Sequence, residues 1–246
     1  MLMNILRVYE LTKYFGGLAA IKNVTFDIHK KEIVGLIGPN GAGKTTLFNL
    51  ISGFYKPNRG KIIFNEKDIT NFTPYQICKE GIGRTFQIPK PFLNMSCLQN
   101  VMIGALFGKD ERKDFNKAKK ESIEIIDFIG LSKKIDTLAK NLTLVERKKL
   151  EIARALATKP KLLLLDEVVS GLNPVETEEV MELLRKIRNQ GITLFIVEHV
   201  MKVIMGIAER IIVLHHGEKI AEGKPHEIAE NKKVIEAYLG EGVKIA

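Results

Sequence analysis

Two stretches of the chain carry residues whose types and spacing suit phosphate chemistry. The first is Gly38-Pro39-Asn40-Gly41-Ala42-Gly43-Lys44-Thr45, which satisfies G-x-x-x-x-G-K-[ST] at every fixed position. Glycines there let backbone N–H groups close around phosphate oxygens, and a helix starting at the end of the loop adds its positive dipole. In such a loop Lys44 reaches the β- and γ-phosphates and the Thr45 hydroxyl ligates Mg2+. Gly38, Asn40, Gly41, Ala42, Gly43, Lys44, Thr45 and Thr46 are therefore the candidate nucleotide contacts. The second stretch is Leu162-Leu163-Leu164-Leu165-Asp166-Glu167, an apolar run that ends in two adjacent carboxylates. Side chains alternate along a strand, so neighbouring carboxylates take different tasks. Asp166 is suited to hold Mg2+ and Glu167 to polarise an attacking water as general base. The pair of stretches implies a nucleoside triphosphate site without saying what the site is for.

The elements that must position these residues are legible from apolar patterning. Ile33–Ile37, directly before the glycine loop, and the runs 162–165, 192–197 and 211–214 read as strands buried on both faces of a parallel sheet. Leu47, Leu50 and Ile51 mark a helix after the loop. Segments 24–28 and 61–64 alternate apolar and polar and read as half-exposed antiparallel strands. Asn173-Pro174-Val175-Glu176 supplies an N-cap, a proline at the first helical position and a glutamate at the third. The helix it starts carries Val180, Leu183, Leu184 and Ile187 at helical spacing and stops at a C′ glycine, Gly191. Thr73-Pro74-Tyr75-Gln76 and Ser96-Cys97-Leu98-Gln99 are further capping boxes. The expectation is an α/β core built from both ends of the chain, residues 1–87 and 160–246, with a helical segment at 88–159 inserted between them.

Composition bounds the remaining classes. A chain of 246 residues with 45% hydrophobic and 27% charged residues can bury a sizeable core and is not a disordered chain. Its two cysteines, Cys78 and Cys97, form no disulfide framework and lack metal-ligand spacing, which suits a reducing cytosol. The longest apolar run, 101–108, is far short of the roughly 20 residues a spanning helix needs. The first residues reach Arg7 and Glu10 without a signal-peptide core, so the expectation is a protein neither secreted nor membrane-spanning. A net charge of +9 invites a nucleic-acid or anionic-surface reading. Most of that excess lies in 109–161, with 15 basic against 9 acidic residues, and reads chiefly as solvated surface of the helical segment.

Taken together the motifs resemble the ATP-binding subunits of ABC transporters over nearly the whole chain. The resemblance implies an α/β P-loop NTPase fold of ABC type, with a mixed sheet core, an antiparallel β subdomain and an inserted helical subdomain. It implies ATP hydrolysis with ATP and Mg2+ as cofactors. Gln87, in Thr85-Phe86-Gln87, takes the place of the Q-loop glutamine that touches Mg2+ and the attacking water and senses the membrane partner. His199 sits where the family keeps its switch histidine on the γ-phosphate. Phe15, in Lys13-Tyr14-Phe15-Gly16, matches the aromatic that stacks on adenine, ahead of Tyr14. Finer features resemble the branched-chain amino acid importers. They are the D-loop Ser170-Gly171-Leu172-Asn173-Pro174, with Asn173 where many relatives have Asp, Gly83-Arg84-Thr85-Phe86-Gln87, and Val197-Glu198-His199-Val200-Met201-Lys202 with Val203-Ile204-Met205-Gly206. The ending Ala237-Tyr238-Leu239-Gly240-Glu241 fits the same branch.

One motif departs from the family. Its signature, roughly Leu-Ser-Gly-Gly-Gln, is replaced by Leu142-Thr143-Leu144-Val145-Glu146. Thr143 keeps a hydroxyl and forms a capping box with Glu146, so the following helix should start normally. Val145 stands where the family has a glycine whose backbone approaches the γ-phosphate of the opposite subunit. A β-branched residue there is expected to resist positive φ and add bulk, and Glu146 to add negative charge, at about 1–3 kcal/mol each where strain is incurred.

The resemblance also implies partners. These are membrane permease subunits and a second ATPase subunit, with a heterodimer favoured over an ATP-dependent head-to-tail homodimer. It places the protein in the cytoplasm, peripheral on the inner face of the membrane, with no nucleic acid bound. The motor of another ABC system, such as a lipid or lipopolysaccharide exporter, is the alternative. A soluble DNA-repair or chromosome ATPase is a remoter one, because the 54 residues between Gln87 and Leu142 hold no sustained heptads.

Overall fold

The computed structural model describes residues 3–108 and 114–239. Lys109, at the start of the basic stretch, and Gly240 and Glu241, in the ending noted above, lie outside the described residues. In chain order the elements are β1 (Asn4–Phe15), β2 (Leu18–His29), β3 (Ile33–Ile37), α1 (Lys44–Ile51), β4 (Arg59–Phe64), β5 (Lys67–Asp68), α2 (Pro74–Glu80), β6 (Ile82–Arg84), α3 (Cys97–Phe107), α4 (Phe115–Phe128), α5 (Leu144–Ala157), β7 (Leu162–Asp166), α6 (Pro174–Asn189), β8 (Thr193–Val197), α7 (Met201–Ile207), β9 (Arg210–His215), β10 (Glu218–Gly223), α8 (Pro225–Ala229) and α9 (Lys232–Leu239). They form two compact units, one of residues up to Pro74 together with those from Thr193 onward, the other running from Tyr75 to Ile192.

The first unit holds two kinds of sheet. An antiparallel sheet runs in the order β2-β1-β4-β5. Its strands alternate buried and exposed residues where they are regular, as in Val24, Phe26 and Ile28 of β2. The strands β10-β9-β3-β8 form the mixed part, with β3 parallel to both β8 and β9 and β10 antiparallel to β9. All five residues of β3 and of β8 are buried, as runs covered on both faces require. Phe195 on β8 packs against Phe48 of α1 at 5.1 Å and Phe26 of β2 at 5.7 Å between ring centroids. That aromatic cluster clamps the helix after the glycine loop onto the sheet.

The second unit is mainly helical around a short parallel pair, β6 and β7, in which Arg84 lies opposite Leu164. Helices α3, α4 and α5 pack on one another, and short 3-10 turns at Ser132–Lys134 and Ala139–Asn141 lead into α5. Capping boxes form at Ser96 with Gln99, Thr143 with Glu146 and Asn173 with Glu176, as the spacing requires. Gly191 ends α6 as the C′ residue, with φ 92° and its N–H bonded to the Arg188 carbonyl at 2.8 Å.

One ion pair fixes the entry to β3. Arg210, the first residue of β9, donates through Nε and Nη2 to the two carboxylate oxygens of Glu32 at 2.8 and 2.9 Å. It also donates to the Asp27 carbonyl at 2.8 Å and pairs with Glu222. Burial alone would raise the Glu32 carboxyl, but Arg210 and the His29 N–H outweigh it and hold it below the usual value of 4.5. A lowered folded pKa means this contribution is present above about pH 4.5 and is lost as pH falls through the folded value. Arg210→Met leaves the Glu32 charge without its main partner and is expected to cost about 2–3 kcal/mol near neutral pH, less than a fully buried pair because Arg210 is partly exposed. Urea unfolding at pH 7 and pH 4 checks this, and the loss should shrink at the lower pH.

Candidate functional site

The glycine loop starts where β3 ends. Leu36 of β3 lies opposite Val197 of β8 and Ile37 lies opposite Val213 of β9, so three parallel strands leave the sheet at one end. The loop is shaped by close approach on two sides. Gly38 has φ 152°, and a Cβ added to it would lie 2.1 Å from the Leu214 carbonyl oxygen. Gly43 has φ 104°, and its Cβ would lie 2.6 Å from the Ala20 carbonyl oxygen. No side chain fits at either place. The Gly217 N–H donates to the Ala42 carbonyl at 3.0 Å, and Tyr238 of α9 is hydrogen-bonded to the Gly38 backbone. Burial pushes the Tyr238 phenol up against that bond.

Lys44 opens α1 and is buried. Its Nζ donates to the carbonyls of Gly38 at 2.6 Å and Pro39 at 2.9 Å. The ammonium is therefore drawn back over its own loop. Asn40, Gly41 and Thr45 are exposed, Thr46 is half-buried, and Ala42 is buried. A loop that excludes a Cβ at Gly38 and Gly43, a cation at its floor and a helix N-terminus beyond it fit a polyphosphate. Phe15 ends β1, with its ring edge-on to Tyr55 at 5.1 Å and the Lys13 Nζ 5.3 Å from its centroid. At 43% exposure it presents a ring surface to solvent. His199, exposed, follows two residues after Val197, as Gly38 follows Leu36 on the neighbouring parallel strand.

In the second unit Asp166 ends β7 and is buried. Its N–H donates to the Thr85 hydroxyl at 3.2 Å, and its carboxylate meets Arg84 Nη2 at 3.4 Å. Burial lowers the Arg84 pKa, and the Asp166 charge opposes that shift. Gln87, expected as the Q-loop glutamine, is exposed and donates from Nε2 to Glu167 Oε2 at 2.8 Å. Glu167 has φ 49°, a left-handed backbone that costs a non-glycine residue about 1–3 kcal/mol. Its carbonyl is held by Lys148 Nζ at 2.8 Å and by the Ser170 N–H at 3.2 Å. Among the described residues no group of three or more His, Cys, Asp or Glu could hold a metal. Mg2+ takes few protein ligands and completes its shell with water and phosphate, so its binding does not need such a group.

Two expectations for the 142–146 segment need correction. Val145 is the second residue of α5 and has helical backbone, so no positive φ is demanded and no strain arises from β-branching. Glu146 accepts the Thr143 N–H at 2.9 Å and pairs with Lys134 at 3.3 Å, so its added charge is largely compensated. Against burial, these two partners hold its pKa below the usual value. What remains is the bulk of Val145, which with Thr143, Glu146 and Lys134 lines a cavity of about 630 Å³. Leu142 is buried, and Leu144 is exposed but lies against Gly171 of the segment Ser170, Gly171, Leu172, Asn173. The structure thus brings residues 142–146 and 170–173 together at Leu144 and Gly171.

Arg84, Lys148 and Glu151 escaped the sequence reading as site residues. Lys148 and Glu151 are buried charges in phase with Leu144 and Ala155 on one helical face. That phase was the available signal, since charges there cannot be solvated and need partners.

Comparison with known proteins completes the picture. The profile of the ABC transporter family matches residues 21–170, and that of the branched-chain amino acid ATP-binding cassette transporter matches residues 218–244. The chain is 41% identical over 250 residues to the high-affinity branched-chain amino acid transport ATP-binding protein LivG of Salmonella typhimurium, covering 96% of this chain and 98% of that one. It is similar to the crystal structure of a nucleotide-free ATP-binding cassette from an ABC transporter, with a TM-score of 0.90 and 33% identity over 97% of this chain and all of that one. It is also similar to the dimeric structure of a bacterial ABC transporter cassette, with a TM-score of 0.80 and 28% identity over 89% of this chain and 98% of that one.

The cradle around Gly38 is directly testable. Gly38→Ala forces a methyl group into the Leu214 carbonyl, so the loop must move. Affinity for a fluorescent ATP analogue is expected to fall at least about tenfold. Equilibrium titration reads it, and unchanged affinity would mean that the loop does not bind the nucleotide in this shape.

Proposed function

Because the chain belongs to the ABC transporter family of ATP-binding proteins, we propose that it energises the uptake of branched-chain amino acids through membrane permease subunits. It is an ATPase. The observation that carries the hydrolytic reading is the 2.8 Å bond between Gln87 and Glu167, which joins a carboxylate and an amide suited to one water.

Gly38, Asn40, Gly41, Ala42, Gly43, Lys44, Thr45 and Thr46 hold the triphosphate, and Phe15 stacks on the adenine. Lys44 exchanges the Gly38 and Pro39 carbonyls for phosphate oxygens, which needs only a swing of its flexible end. Thr45, Asp166 and Gln87 hold Mg2+, which neutralises charge on the phosphates when bound. Glu167 takes the proton of the water that attacks the γ-phosphorus, Gln87 orients that water, and His199 contacts the γ-phosphate. The water oxygen bonds to phosphorus as the bond to the ADP oxygen breaks.

Nucleotides are sandwiched between two ATPase subunits in this reading, the glycine loop of one facing Leu142, Thr143, Leu144, Val145 and Glu146 of the other. The D-loop Ser170, Gly171, Leu172 and Asn173 lies beside that segment. The bulk of Val145 favours a heterodimer whose two sites are unequal. The permease is gripped by the inserted helical segment, with residues 87–94 at its hinge. Asn100 holds the backbone of Phe92, Met95 and Ser96 there, while the Ile88, Phe92 and Leu93 side chains are exposed. No helix among the described residues is long and apolar enough to cross a membrane. A peripheral place on the inner face follows from the permease contact.

Two outcomes test the reading. Glu167→Gln should reduce phosphate release by about a hundredfold or more and leave ATP bound in a dimer detectable by light scattering. Turnover like that of the wild type would remove Glu167 from its role. In the assembled transporter Val145→Gly should raise ATP turnover at least about twofold by giving the partner's phosphate room. An unchanged rate would show that Val145 does not limit that site.

A further inference from the structure

The residues proposed for hydrolysis are held from behind by one helix. Glu167 keeps a left-handed backbone, and the Lys148 ammonium, buried, donates to its carbonyl at 2.8 Å. Three residues on, the buried Glu151 carboxylate accepts the Phe86 N–H at 3.2 Å, directly before Gln87, and the Lys90 N–H beyond it. Arg154, three residues further, donates to the Lys90 carbonyl at 2.8 Å and stacks on Phe92 at 5.0 Å. The spacing i, i+3, i+6 puts all three on one face of α5. Gln87 and Glu167 touch each other at the far side of this arrangement.

We propose that Lys148 and Glu151 are positioning residues, Lys148 fixing the backbone of Glu167 and Glu151 fixing the segment of Gln87, so that α5 sets the geometry of the Gln87–Glu167 pair. The inference rests on the reading of that pair as hydrolytic. A buried carboxylate is an expensive way to hold two N–H groups. Burial, opposed by those N–H groups and by Arg154 and Lys148, pushes the Glu151 pKa up to about 7. The same helix starts in the segment presented to a second subunit.

The experiment uses the full chain, with wild type, Glu167→Gln, Lys148→Met, Lys148→Arg, Glu151→Ala and Glu151→Gln measured side by side. Lys148→Met and Glu151→Ala should lower kcat at least about tenfold with KM for ATP and melting temperature near those of wild type. Lys148→Arg, which still donates to the Glu167 carbonyl, should recover most of kcat. Hydrogen exchange should quicken at Phe86 and Lys90 in Glu151→Ala and stay as in wild type at the glycine loop. Combining Lys148→Met with Glu167→Gln should add no further loss, because both act through one group. A kcat within about twofold of wild type in Lys148→Met and Glu151→Ala overturns the proposal, as does a change confined to KM. If Glu151→Ala does not fold, Glu151→Gln decides in its place, and normal kcat with normal exchange at Phe86 and Lys90 overturns it. A Glu167→Gln variant as active as wild type fails the hydrolytic reading itself, whatever the α5 variants do.

Discussion

An ammonium group can be buried only where oxygen atoms replace the water it gives up. Lys44 meets that condition with the carbonyls of Gly38 and Pro39, 2.6 and 2.9 Å away. Much of the first unit follows from that demand. The loop must curl so that its own carbonyls face the cation, which forces backbone at Gly38 and Gly43 that admits no Cβ. The curl must be backed by rigid structure, and β3, β8 and β9 supply it as parallel strands ending together. Arg210 and Glu32 tie β9 to the residue before β3, and the Phe26, Phe48 and Phe195 rings tie α1 to the sheet. The result is a cation stored under light restraint, able to leave two neutral acceptors for the charged oxygens of a triphosphate.

The second unit solves a different problem. Glu167 occupies a backbone region that a glutamate disfavours, and it stays there because contacts surround it. Lys148 and Ser170 hold its carbonyl, and Gln87 holds its carboxylate. In the proposed hydrolysis such strain has a use, since a general base must be aimed before the water arrives. In the proposed assembly the helix that supplies Lys148 also begins at the segment offered to a second subunit, so aiming and assembly would share one rigid element.

The parts of this design that were legible in the sequence are those governed by local rules. The glycine loop, the four apolar runs and the capping boxes at Ser96, Thr143 and Asn173 each follow from spacing a few residues long, and the structure forms them there. β1 was not legible, because bulges at Glu10 and near Leu11 break the alternation that marks a strand. The backbone of Val145 was misjudged for a related reason. Positive φ was inferred from the glycine it replaces, whereas the capping box of Thr143 and Glu146 places Val145 inside the first helical turn. Arg84, Lys148 and Glu151 depend on contacts across 19 to 82 positions of sequence, which no local pattern encodes. Their only trace was charge in phase with an apolar stripe.

ATP hydrolysis by this chain is the central claim, and phosphate release is its direct measure. Purified full-length protein given ATP and Mg2+ should release inorganic phosphate continuously, matched by ADP, and stop when EDTA removes the metal. Phosphate release no higher than that of a Lys44→Ala control, in a preparation that still binds ATP, would contradict it.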